Sequence, residues 1–405
     1  MITFSGETMI TSIRMRAIAT TSAILGMVLC VGCGAPIAEF QQNHVYILKQ
    51  KNELDGAFTP QQRKDLANVM EALFGTPDNP HIPQTGVDTS SLFEQNKLLM
   101  AAGPYGSYED GRPRGLYREH CVHCHGVTGD GKGPTAQFLN PYPRDYRLGK
   151  FKFKSTPSAT PPTHEDLRLI LYNGIPDTAM PSFKLIPGDE LEALIQYVRY
   201  LSIRGTVERE LIFVMAEYGE EERLFDETIG AEQAEEVTDV VNAVLEDWIA
   251  AEGASLEIPP APKGEKADMI AKGKALFYGD IAGCVKCHGD SALGDGQKTD
   301  YDDWAKDYFD PKKPDDRYQY IALGALEPQN IIPRNLRAGV YRGGRRPIDL
   351  YRRIANGITG TPMPKAPASL SPDDIWHLVH YVRSLPRETT SNPYQHVPAN
   401  NRERH

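Results

Sequence analysis

Apolar residues in this chain recur at helical spacing in several long stretches, and nowhere do they alternate as a half-buried strand requires. In "TPQQRKDLANVMEALFG", Leu66, Val69, Met70, Leu73 and Phe74 fall on one face. Thr59 stands at the N-cap position, Pro60 in the first turn and Gly75 at the stop, so the pattern predicts an amphipathic helix. "PGDELEALIQYVRYLS" and "SPDDIWHLVHYVRSL" repeat that spacing, and each opens with proline and acidic residues, as a helix N-terminus prefers. "VTDVVNAVLEDWI" is helical in the same sense, and shorter helical patterns run through "RGLYREHC" and "GKALFYGDIAGC". "TPDNPHIPQTG" is a loop or linker. The expected class is all-α.

Two of these patterns lead into the same signature. "CVHCH" spans Cys121 to His125, and "CVKCH" spans Cys284 to His288. By itself a Cys-x-x-Cys is a zinc knuckle, a redox dithiol, a disulfide or half of a haem-attachment site. The surroundings recur as well. "NGIPDTAMP" (173–181) matches "NGITGTPMP" (356–364), "YVRYL" (197–201) matches "YVRSL" (381–385), and "YPRDYRLG" (142–149) matches "IPRNLRAG" (332–339). The order is kept, and most of the length difference falls between His288 and Pro333. The chain therefore holds two homologous domains, the second with an insertion.

A haem c needs two thiols at this reach to add across its vinyl groups, with the adjacent histidine as fifth iron ligand. One such match arises by chance; two inside a repeated unit do not. The sixth ligand is expected at a recurring position, and Met180 and Met363 recur, each followed by proline. A thioether is a soft ligand that raises the potential. A single zinc site shared by cysteine pairs this far apart explains neither the adjacent histidines nor the methionines.

Residues of about 105–205 and 265–388 thus resemble two class I cytochrome c domains. The resemblance rests on Cys-x-x-Cys-His-Gly, the "GDGKGP" and "GDG" turns, Pro-Arg-Asp or Pro-Arg-Asn, Met-Pro and an aromatic-bearing last helix. It implies a helical wrap around each haem, two covalently bound haem c groups and one-electron transfer. Cys121, Cys124, Cys284 and Cys287 carry the thioethers in this reading, with His125, Met180, His288 and Met363 on the irons. It further implies that the carbonyls of Pro143 and Pro333 accept from the two imidazoles, Pro134 competing in the first domain. Arg147 and Arg337 recur after those prolines, either against haem propionates or as solvated surface arginines. Tyr197 and Tyr381 are expected to pack the last helix on the first helix and haem; Trp376 and His377 are helix-face residues.

Charge and composition narrow the class further. The chain has 405 residues and a net charge of −10, which excludes a nucleic-acid-binding reading. The segment 206–253 carries fifteen acidic and two basic residues, leaving +3 for the remainder. It is a solvated helical spacer or an acidic docking face for a basic redox partner. The insertion before Pro333 covers a haem edge or contacts the first domain. The arginine-rich run of 334–353 is a docking surface or faces the acidic segment.

No interior run is long enough to span a bilayer. Arg14 and Arg16 precede an apolar run from Ala17 to Val31, the form of an export signal, with Met9 or Met15 a better start than one upstream of Glu7. Gly32 before Cys33 resembles a lipobox, with Cys30 where leucine is usual, and makes Cys33 the lipid attachment site; a plain cleaved signal is the alternative. The expected organisation is signal 1–32, polar and helical extension 33–104, first cytochrome domain 105–205, acidic helical spacer 206–262, second domain 263–388 and tail 389–405. The expected protein is an exported dihaem cytochrome, periplasmic and anchored to the membrane by its N-terminal lipid, passing electrons between redox proteins or respiratory complexes. A cytochrome subunit of a larger dehydrogenase or oxidase and a dihaem peroxidase are the other readings; the peroxidase needs an open iron, which two Met-Pro copies oppose.

Overall fold

The computed structural model describes residues 38–104, 106–107, 113–225 and 231–391. The expected export signal with Cys33, and the tail beyond 391, lie outside the described residues. The helices begin with α1 (His44–Leu54), α2 (Pro60–Phe74), α3 (Gln95–Ala101), α4 (Leu116–His120) and α5 (Val122–His125). There follow α6 (His164–Asn173), α7 (Gly188–Met215), α8 (Ala231–Ala251), α9 (Lys266–Tyr278) and α10 (Val285–His288). The last four are α11 (Asp303–Lys306), α12 (Arg317–Ala322), α13 (Pro347–Asn356) and α14 (Pro372–Ser391). The class is all-α. The one departure among the described residues is a pair of two-residue strands, β1 (Gly106–Ser107) and β2 (Pro113–Arg114), too short to leave an alternating pattern.

The helix read from "TPQQRKDLANVMEALF" forms with a full capping box. Thr59 Oγ1 accepts from the Gln62 amide, and Gln62 Oε1 accepts from the Thr59 amide at 2.8 Å. Leu66, Met70 and Phe74 are buried against α7. The extension thereby joins the core of the first domain.

α7 is longer than the pattern ending at Ser202 indicates. It runs without a break for 28 residues, taking in the start of the acidic segment. Nineteen of its positions are buried, which requires cover on nearly every side. α2, α3, α6 and α8 supply that cover. α8 sets Val241, Leu245 and Trp248 into the same core and leaves Glu246 and Asp247 in solvent. The acidic segment is therefore an amphipathic helix seated on the first domain rather than a free spacer.

A second hydrophobic core is built by α9, α13 and α14 with Phe277, Tyr351, Trp376 and Tyr381. α9 crosses α14 at Gly273, where a Cβ would press on the His377 carbonyl. The segment of 252–265 ties the halves together: Leu256 N donates to Ser155 O at 2.9 Å, and Trp376 Nε1 donates to Pro259 O at 2.9 Å. The insertion, with α11 and α12, lies on the first domain: Lys49 and Arg209 pair with Asp307 at 3.1 and 3.2 Å, and Asn52 donates to Tyr320 at 3.3 Å.

Candidate functional site

Each signature forms one tight helical turn, and each histidine is followed by a glycine at positive φ, Gly126 at 72° and Gly289 at 78°. The chain can then fold back, and the same hydrogen bonds close both copies. Gly131 N donates to His125 O at 2.9 Å, and Gly294 N to His288 O at 2.9 Å. The imidazoles are oriented alike: His125 Nδ1 lies 3.1 Å from the Arg144 carbonyl, and His288 Nδ1 lies 3.2 Å from that of Arg334. With Nδ1 as the donor, Nε2 is left as the free ligating nitrogen. Burial pulls His125 down to about 4 and lowers His288, which favours the neutral imidazole in both.

The expectation for Pro143 and Pro333 is off by one residue. Both line the cavity described below, but Pro143 O lies 2.7 Å from where a Cβ of Gly131 would stand, and Pro333 O sits against Gly294. The next carbonyl along meets the imidazole, because adjacent carbonyls of an extended segment point to opposite sides.

The methionine loops share three hydrogen bonds. Ile175 N donates to Met180 O at 3.1 Å, Thr178 Oγ1 to Ile175 O at 2.7 Å, and Met180 N to Thr178 Oγ1 at 3.1 Å. In the second loop Ile358, Met363 and Thr361 make these bonds at 3.1, 2.8 and 3.2 Å. Thr178 and Thr361 were missed in the sequence, although both stand two residues before methionine in the repeat.

The four signature cysteines, their two histidines and the two recurring methionines line one cavity of about 540 Å³, with Phe151, Leu167 and Ile170 from the first half and Leu350, Ile354 and Leu378 from the second. The volume is within the range of cofactor sites. The thiols form no disulfide, and burial pushes Cys121 up to about 12 and Cys284 to about 11. Burial therefore disfavours the thiolate at Cys121 and Cys284. Among the described residues no three His, Cys, Asp or Glu cluster as a zinc site requires.

Arg147 and Arg337 do not face this cavity. Arg147 is buried and bidentate to Asp145 at 3.0 and 2.8 Å, with its stem against Gly205. Arg337 donates to Ser291 O at 2.5 Å and to Glu388 at 3.3 Å. The cations on the cavity wall are instead Arg144, Lys152, Arg334, Arg342, Arg353 and Lys365. Arg144 and Arg334 sit in the recurring Pro-Arg-Asp/Asn, one place after the prolines singled out, and that repeat was the available signal. Tyr197 and Tyr381 lie behind the cavity, buried against Tyr117 at 5.1 Å and Phe277 at 5.3 Å between centroids. The arginine-rich run does not reach the acidic helix: Arg334 and Arg342 pair with Asp177 of the first methionine loop at 2.5 and 3.3 Å.

Residues 109–198 match the family model described as "Cytochrome C oxidase, cbb3-type, subunit III", and residues 270–386 match the model "Cytochrome c". The chain belongs to the c-type cytochromes, as two such domains in tandem. It transfers electrons and carries two covalently bound c-type haems with their irons. No curated protein matches the chain. Among solved structures, the chain is similar to one from the Kuenenia stuttgartiensis reducing HAO-like protein complex Kustc0457/Kustc0458, at 25% identity over 70% of this chain and 98% of that one, with a TM-score of 0.45.

The cavity wall fits such groups. Arg334 Nε, Arg342 Nε and both amide atoms of Gln297 are buried there without a hydrogen-bond partner. Burial also pulls Arg144 and Arg353 down to about 10 and, with Arg144 adding to it, Lys152 to about 8. Anionic carboxylates at the wall satisfy the arginine and Gln297 Nε2 donors and restore the charge.

Proposed function

We propose that this is an exported dihaem carrier of single electrons, in which His125 and Met180 would hold one iron and Cys121 and Cys124 would tether its haem. His288 and Met363 would hold the other iron, with Cys284 and Cys287 tethering that haem. Each haem supplies an iron that cycles between ferric and ferrous states. The observation that carries the reading is that both ligand sets open on one apolar cavity.

The protein's part is positional and electrostatic. The Arg144 and Arg334 carbonyls fix the imidazole tautomers and raise their basicity. The threonine-closed loops present the methionines and favour the reduced state. Burial excludes water, which restricts charge relaxation around the irons. The cationic wall offers partners for haem carboxylates.

In this proposal the cytochrome domains span 105–205 and 263–388. The first core also takes in the extension and α8, in line with a larger docking body. The N-terminal segment directs export to the periplasm, with Cys33 as lipid anchor. Partners are other redox proteins or membrane respiratory complexes. The exposed acidic face of α8 also suits a subunit docked by charge within a larger dehydrogenase or oxidase.

A spectroscopic redox titration of the haem-loaded protein tests the ligand assignment. Two low-spin haems, each with a methionine-to-iron charge-transfer band, are expected. Absence of that band from both would overturn the assignment, and rapid hydrogen peroxide turnover would revive a peroxidase.

A further inference from the structure

The two proximal arginines each do a second thing. Arg334, whose carbonyl faces His288, extends its guanidinium to Asp177 at 2.5 Å. Asp177 lies three residues before Met180, at a positive φ of 60° inside the first methionine loop. Arg144, whose carbonyl faces His125, stacks its guanidinium 3.4 Å from the Trp304 ring centroid. That ring is packed on Gly360, where a Cβ would collide with it. Gly360 lies three residues before Met363, at a positive φ of 75°, the repeat position of Asp177. The neighbouring Asp303 N donates to Gly360 O at 3.1 Å. Each histidine-facing strand is thus tied to the other site's methionine loop, once by an ion pair and once through an indole supplied by the insertion.

We propose that Arg334–Asp177 and Arg144–Trp304–Gly360 are reciprocal braces coupling the two iron sites, so that release of the methionine at one iron changes how readily the methionine leaves the other. This rests on the ligand assignment proposed above. The residues are positioning residues: Asp177 and Trp304 hold loops and touch no iron. The physical basis is that both loops are closed by short local hydrogen bonds and packed against rigid partners. A loop that shifts when its methionine leaves must move its brace, and the brace ends on the strand that orients the other imidazole. The coupling is a free energy and acts equally in both directions.

The test uses the full haem-loaded chain, with imidazole as the competing ligand of the ferric irons. Met363→Ala frees the second loop, and imidazole affinity at the remaining methionine-ligated haem is compared with that haem in the unaltered protein. A change of about fivefold or more is expected. Adding Trp304→Leu should bring that change to within about twofold of none, while Trp304→Phe, which keeps a ring under Arg144, should preserve it; Met180→Ala, read in the same way at the second haem, should lose its effect when Asp177→Asn is added. Asparagine tolerates the left-handed turn, so the Asp177 arm decides the matter even if the Trp304→Leu protein fails to load haem. No change at the other haem on either methionine substitution, or a change that survives loss of the brace on its own path, overturns the coupling. If Met363→Ala leaves both methionine-to-iron bands in place, it is the ligand assignment that fails.

Discussion

Phe277 packs edge-on against Tyr381, with ring centroids 5.3 Å apart and planes inclined at 64°. The pair marks the crossing of α9 and α14, and the equivalent crossing in the first half pairs Tyr117 with Tyr197 at 5.1 Å. In the second half the helices approach through Gly273, where a Cβ would lie 2.8 Å from Tyr381 Cβ and closer still to the His377 carbonyl. Neither neighbour is a flexible side-chain end. Gly273→Ala is expected to destabilise the second domain by about 1–3 kcal/mol through overpacking. Thermal unfolding followed separately at the two haems checks this: the second domain should melt first, while the first keeps its midpoint.

Arg204 and Glu208 form a second internal pair, one turn apart on α7, at 3.0 Å and with 5% and 1% of their side chains exposed. Glu208 also accepts from Asn43 N at 2.9 Å, which fastens the start of α1 to the long helix. Arg204→Met leaves a buried carboxylate short of its counter-charge and is expected to cost about 3–5 kcal/mol. Arg204→Met/Glu208→Gln removes the stranded charge, keeps an acceptor for Asn43 and should recover most of the loss. Denaturant unfolding of the haem-loaded single and double variants distinguishes the two.

The acidic helix has two faces with separable roles. Trp248 is 2% exposed and meets Phe151 edge-on at 6.4 Å, so Trp248→Ala is expected to cost about 3–5 kcal/mol. Glu246 and Asp247 are exposed, and Glu246→Lys/Asp247→Lys should leave stability within about 0.5 kcal/mol. That second variant should slow association with a basic redox partner and flatten its salt dependence. Stopped-flow electron transfer at several ionic strengths reads both effects.

Asp177 gives the contact between the halves a pH dependence. Its hydrogen bond and charge attraction to Arg334, aided by Arg342, hold its carboxyl below the usual carboxylate range. A carboxylate depressed in the folded state binds fewer protons there than in the unfolded chain. The stabilisation is therefore complete above the unfolded value and is lost as pH falls through the lower folded one. Carboxyl-resolved NMR should find Asp177 titrating below ordinary aspartates, and Arg334→Leu should move its midpoint upward.

Much of the fold is legible along the chain because its signals are local. A capping box such as Thr59–Gln62 acts over one turn, and the apolar faces of α2, α8 and α14 follow the helical period. The methionine loops are also local: three hydrogen bonds within six residues close each, which is why both copies take one shape. Less legible is whatever depends on distant partners. Arg147 and Arg337 recur as regularly as Arg144 and Arg334, yet the first pair turns to Asp145 and Glu388 and the second to the cavity. Spacing alone does not say which way an arginine points.

The sequence by itself determined that the chain is a tandem of c-type cytochrome domains with two haems, because the two thioether cysteines and the histidine ligand must be encoded together in one short segment. Only the tertiary structure decided that both ligand sets open on one cavity, that the acidic helix buries a face, and that Arg334 reaches the first site's loop while Arg144 meets the second through Trp304. Those relations join residues more than a hundred positions apart, such as Arg334 with Asp177 and Trp304 with Arg144. They depend on how the two domains pack, which no local pattern specifies.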